Sequence, residues 1–226
     1  ETYGWMEEIL DQAWYEERNV IAVAHHNLLD ESRIYEEDCT IEHSDELERF
    51  LDDWDVELFL SGHLHVQHCK RSEDNRGIWE MVTASLATPS CKYAILTYRD
   101  DRSFLYRTQS LDVEAWAKKN QRTEEDLLNF KQFQTPFLRR VFYNQAIAAL
   151  NEVPELTDSE REQMAQLYSL LKFHYYQGTA YQVQELVRND PAYELWQEDG
   201  MATQQGEYFR YILEDGKRDY NRLEVN

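Results

Sequence analysis

Two short apolar runs that each end in histidine constrain this chain more than any other feature. The first, residues 19–24, ends at His25-His26-Asn27. The second, residues 56–60, ends at Ser61-Gly62-His63-Leu64-His65. Runs this short and this rich in aliphatic residues read as buried strands. Between them, residues 44–54 place Leu47, Phe50 and Leu51 on one helical face, with Ser44 as N-cap. Strand, helix, strand is the pattern of a parallel pair. Ligand sites in such sheets form beyond the carboxyl ends of the strands. The two runs therefore direct His25, His63 and His65 toward one crevice. In extended chain His63 and His65 share a side and Leu64 faces the other way, while Gly62 allows a sharp exit from the strand. Paired imidazoles suit Mn, Fe, Zn or Ni better than Ca or Mg, which prefer oxygen.

The flanking segments extend the pattern. Trp5, Ile9, Leu10, Ala13 and Trp14 recur at helical spacing before the first strand. A polar, acidic loop, residues 30–40, follows the first histidine motif. Residues 66–71 and 77–84 read as a hairpin about Asp74-Asn75-Arg76-Gly77, and residues 93–98 and 104–109 as a second. From Asp112 the period becomes helical. Thr123-Glu124-Glu125-Asp126 opens one helix, and Thr135-Pro136 another, with Pro at its first helical position. Thr157-Asp158-Ser159-Glu160 is a capping box, Gly178 suits a helix stop, and residues 207–213 form a last apolar face. The expected fold class is α/β for residues 1–111, followed by an all-α module over residues 112–226.

Composition narrows the partners. With 226 residues, 42% hydrophobic and 13% aromatic, the chain can build a core, as one large domain or two small ones. Its formal net charge of −21 repels nucleic-acid backbone and anionic lipid. Nucleic acid is therefore not an expected partner, membrane contact is not indicated, and divalent cations are attracted. Cys39, Cys69 and Cys91 match neither a zinc pattern nor a disulfide framework and read as free structural thiols. With no signal segment visible, the cytoplasm is favoured over export.

Val20-Ile21-Ala22-Val23-Ala24-His25-His26-Asn27, followed by Phe59-Leu60-Ser61-Gly62-His63-Leu64-His65, resembles the last two metal motifs of the calcineurin-like metallophosphoesterases. Residues 82–89 and 94–96 resemble the strands that close that fold. The resemblance implies two divalent metal ions about 3.5–4 Å apart that activate water against phosphorus. It assigns His25 and His63 to one metal and His65 to the other, with His26 and Asn27 as supporting groups behind them. It also implies a helical C-terminal extension, as in some bacterial members.

The departures define a limit. The family's Asp-x-His, Gly-Asp-x-x-Asp and Gly-Asn-His-Asp/Glu motifs do not occur in this chain. Its acid/base histidine is therefore absent here, and the resemblance covers only about half the chain, matching the second half of the family's domain. An N-terminal half of order 150–200 residues, at ordinary domain size, is then expected as a missing partner. A second copy of the chain is another candidate to cover the exposed strands. The expected function is a fragment of a binuclear-metal phosphoesterase, inactive alone. Its parent would cleave a phosphodiester or phosphomonoester of a small phosphorylated substrate, nucleotides among them. The alternative is a non-catalytic interaction protein whose helical module binds a partner and whose metal site is vestigial.

Plainer readings apply elsewhere. His43 and His68 read as solvated, and His174 as a helix-packing residue. Phe130, Phe133, Phe137, Phe142 and Tyr143 read as core. Asp52, Asp53 and Asp55 look like a solvated helix end, and Asp30 and Glu31 like part of a polar loop.

Overall fold

The computed structural model describes residues 2–31, 39–73 and 77–226. The turn expected at Asp74-Asn75-Arg76 and most of the acidic loop after Glu31 lie outside the described residues.

The first 110 residues are layered. Strands β1 (Ala22–Val23), β2 (Leu58–Ser61), β3 (His68–Arg71) and β4 (Trp79–Val82) form one sheet in the order β1-β2-β4-β3. The first three in that order run parallel, and β3 is antiparallel to β4. Helices α1 (Thr2–Tyr15) and α2 (Ser44–Asp53) cover one face. Leu10, Leu51 and Phe59 are buried between them and the sheet. The other face packs on a second sheet of β5 (Lys92–Tyr98), β6 (Phe104–Ser110) and β7 (Arg222–Val225). Leu58, Met81, Phe104 and Tyr106 form the core between the sheets.

The mixed α/β class holds, and both hairpins pair antiparallel. The differences are local. Ser44 is the first residue of α2, not its cap; His43 precedes it in a left-handed conformation with no side-chain capping bond. Of the apolar residues in α1 only Leu10 is buried, while Trp5, Ile9 and Trp14 are exposed. Strand β7 was not expected. Leu223 and Val225 alternate with Arg222 and Glu224 over four residues, too short a run to stand out before β6 is known to lie beside it.

Residues 113–215 form helices α3 (Val113–Lys119), α4 (Glu125–Leu128), α5 (Phe130–Leu150), α6 (Asp158–Tyr176), α7 (Gln184–Arg188), α8 (Ala192–Gln197) and α9 (Gln204–Asp215). The Thr157–Glu160 capping box opens α6 as the sequence implies. Thr135-Pro136 does not open a helix, because α5 already begins at Phe130 and Pro136 sits inside it. Proline lacks the N–H that would bond the Gln132 carbonyl, and Gln132 is exposed to water. Trp196 is fully buried, stacked on Phe209 at 5.2 Å, and donates to the Met164 carbonyl. Phe142 is core, but Phe133 and Phe137 are 45% and 49% exposed, stacked on each other at the surface. They lie one turn apart on a face of α5 that the rest of the bundle does not cover. All three cysteines are buried, and none forms a disulfide among the described residues. No helix among the described residues is long and apolar enough to cross a membrane.

Candidate functional site

The parallel pairing of β1 with β2 brings the two histidine motifs together. Ala22 lies opposite Phe59 and Val23 opposite Leu60. The ladder runs on past the strands, with the Ala24 N–H donating to the Leu60 carbonyl and the Gly62 N–H to the His25 carbonyl. Beyond that bond both chains turn outward, and their first side chains are His25 and His63.

His63 Nδ1 lies 3.0 Å from His25 Nε2. The His26 ring sits 4.4 Å from the His63 ring and 5.3 Å from that of His25. The segment does not take the extended form that its spacing implies. His63 and His65 both adopt left-handed backbone, at φ 59° and 58°, and the Leu64 N–H donates back to the Gly62 carbonyl at 2.7 Å. Non-glycine residues held there carry a conformational cost that surrounding contacts must offset. Leu64 provides one such contact, packing with Val66 against the helical core. His65 is exposed, and among the described residues no hydrogen bond or ring contact joins it to the other three histidines.

Two nitrogens that share one zinc ion at ~2.0–2.1 Å each would lie roughly 3.3 Å apart. The 3.0 Å between His63 Nδ1 and His25 Nε2 is close to that separation. Among the described residues no group of three or more His, Cys, Asp or Glu side chains is arranged to hold a metal.

Behind the pair stands a buried carboxylate that the sequence did not single out. Glu80, on β4, has no solvent exposure. It accepts from the backbone N–H groups of Leu28 at 2.9 Å and Leu29 at 2.6 Å, and from the Ser61 hydroxyl. Ser61 also accepts from the Asn27 amide at 2.9 Å. One side chain on the neighbouring strand thus pins the exits of both β1 and β2. Burial and the nearby charge of Glu31 push its carboxyl up to about 7, against the pull of the Ser61, Leu29 and Leu28 hydrogen bonds. Asn27 is wholly buried, and among the described residues its Oδ1 has no hydrogen-bond partner. Glu80 reads in sequence as an ordinary polar position of a half-exposed strand, because its donors come from residues 19 and more than 50 positions away.

His68 departs from its expected solvated role. It is 4% exposed, lies in β3, and sits between Glu31 and Asp215. Glu31 is likewise buried. His43 is exposed beside Glu42. His174 bonds Thr179 at 3.1 Å and serves packing.

The helical region decides the comparison. Residues 112–219 match the family model for the C-terminal domain of cyclic nucleotide phosphodiesterase. The match begins at Asp112, whose side chain caps α3 through the Ala115 N–H, and ends before β7. A comparison with curated proteins gave no match. The similarity is to a domain of phosphodiesterases, and it lies wholly outside the histidine motifs.

Proposed function

We propose that this chain is part of a metal-dependent phosphodiesterase acting on a small phosphorylated substrate, with cyclic nucleotides the leading class. The observation that carries the reading is the 3.0 Å approach of His25 and His63 at the paired ends of two parallel strands, next to a region that matches a phosphodiesterase C-terminal domain. His25 and His63 would hold one divalent ion, drawn from Mn, Fe, Zn or Ni, and His65 would serve a second. Bound there, the ions would polarise phosphoryl oxygens and lower the pKa of an attacking water. His26 packs on His63 and limits its rotation, and Glu80, Ser61 and Asn27 hold the backbone from which both histidines project.

The remaining donors and the acid/base group are assigned to a preceding half of the parent protein. An apolar groove of about 340 Å³ along α1 and β1, lined by Trp5, Ile9 and Val23, supports that assignment. β1 is an edge strand, and Val23 is 72% exposed on it. The chain alone then turns over little or nothing, and its acidity argues against nucleic acid as substrate.

The test is hydrolysis of a chromogenic phosphodiester and of cyclic nucleotides by the full-length protein with added Mn. His25→Ala and His63→Ala should each lower kcat/KM at least about 100-fold with loss of bound metal. Unchanged metal content and activity in both variants would overturn the reading. The non-catalytic alternative draws on the exposed Phe133–Phe137 pair, and a full-length protein inert toward every phosphodiester would favour it.

A further inference from the structure

Three ionisable side chains from distant parts of the chain meet in the interior. Glu31 follows Asn27 by four residues, His68 lies on β3, and Asp215 is the last residue of α9. His68 Nδ1 pairs with Glu31, and Nε2 lies 3.0 Å from Asp215 Oδ2. The side chains of His68 and Glu31 are 5% and 1% exposed. The Tyr220 ring packs 4.1 Å from the imidazole. Tyr175 donates its hydroxyl to Asp215 at 3.0 Å, and Tyr211 donates to the Glu31 carbonyl at 2.7 Å.

Burial alone would discharge His68, but Glu31 and Asp215 outweigh it and raise the imidazole to about 9. A buried cation between two carboxylates adds little net stability compared with an apolar cluster. Breaking it is costly, because the survivors stay buried without a partner. Such groups act best as registry devices, which tolerate one arrangement and penalise the rest.

The placement of this triad gives that registry a target. The segment from Leu28 to Glu31 is gripped from two sides. Glu80 holds Leu28 and Leu29 from the sheet, and α9 holds Glu31 through Tyr211 directly and through Asp215 by way of His68. The same segment leads straight back to His25 and His26. We infer that Glu31, His68 and Asp215 are positioning residues by which the helical region fixes the segment that carries His25, His26 and Asn27. The inference stands whether or not those histidines bind metal.

Amide hydrogen exchange on the full-length protein tests it. Asp215→Asn keeps the shape and removes the charge. Protection over residues 25–31 should fall at least about tenfold, while α6 and the β5–β6 pair change less than about threefold. Tyr211→Phe removes the hydroxyl that bonds the Glu31 carbonyl with both carboxylates left in place, and should give a smaller loss confined to the same residues. It carries the test if Asp215→Asn fails to fold. Unchanged exchange over residues 25–31, or a loss spread evenly over the protein, would show that the triad serves general stability only and would overturn the inference.

Discussion

His63 presents Nδ1 to Nε2 of His25 at 3.0 Å, across the paired exits of β2 and β1. His65, two residues along, turns away into solvent. Zinc titrated into the 226-residue chain should therefore meet one weak, two-donor site. His25→Ala or His63→Ala should weaken it at least about tenfold, and His65→Ala should change it little. Calorimetry at pH 7 reads all three, and a dominant effect of His65→Ala would contradict the geometry.

Glu80 accepts from the Leu28 and Leu29 amides, the Ser61 hydroxyl and, at 3.5 Å, the Asn27 side-chain amide. Replacing it with alanine strands the Leu28 and Leu29 amides and the Ser61 hydroxyl in the interior. The expected loss is about 3–5 kcal/mol in urea unfolding. Glu80→Gln should cost less, since it keeps one acceptor oxygen and removes a carboxyl that burial holds near pKa 7.

The His68 triad sets a pH dependence. The folded pKa of about 9 exceeds the ordinary 6.5, so the folded chain binds the extra proton between those values. Its stabilising contribution is full below pH 6.5 and is lost as pH rises through 9. The loss is on the order of 3 kcal/mol for a shift of that size. Lys92 and Lys172, each lowered to about 8 by burial, act in the opposite sense above pH 8. The clean measurement is thus the difference in unfolding free energy between wild type and His68→Gln across pH 6–10. A difference that does not shrink with rising pH would refute the charged triad.

Lys172 is a buried cation of another kind. Its ammonium bonds Gln145 and the Tyr168 hydroxyl. It lies 4.8 to 5.9 Å from the rings of Tyr208, Phe142, Tyr168 and Tyr176. Among the described residues no carboxylate pairs with it. Lys172→Met fits the same space and removes the desolvation cost. It should raise stability at pH 6 by about 1–3 kcal/mol, an advantage over wild type that shrinks between pH 8 and 10.5 as the wild-type lysine becomes neutral. Thermal unfolding at the two pH values decides it.

Gly178 ends α6 with φ 69°, and a Cβ there would stand 2.8 Å from Gln67 Cγ. Gln67 in turn donates to the Tyr106 hydroxyl and to the Tyr220 carbonyl. Gly178→Ala should cost about 1–3 kcal/mol, from backbone strain and from displacing Gln67. A Tm within experimental error of wild type would refute the close packing.

Much of the layout is legible in single segments. Apolar runs that end in histidine, the capping box at Thr157 and the glycine at 178 each act through neighbours within a few residues, so pattern alone finds them. Pro136 inside α5 and the exposed Phe133–Phe137 pair mislead the same reading, because whether a helix passes through a residue, and which face it buries, depends on what packs beside it.

The sequence by itself determined that two strands end in imidazoles and that a helical region follows at Asp112. Periodicity and capping are local, and local chemistry dictates them. Only the tertiary structure decided that His25 meets His63 while His65 does not, since left-handed backbone at both residues of the second motif overrides the two-residue alternation. It alone revealed Glu80 behind both histidines, and His68 between Glu31 and Asp215. Those charges are tolerable inside only because partners as far as 147 residues away surround them, and burial is a property that no segment possesses alone.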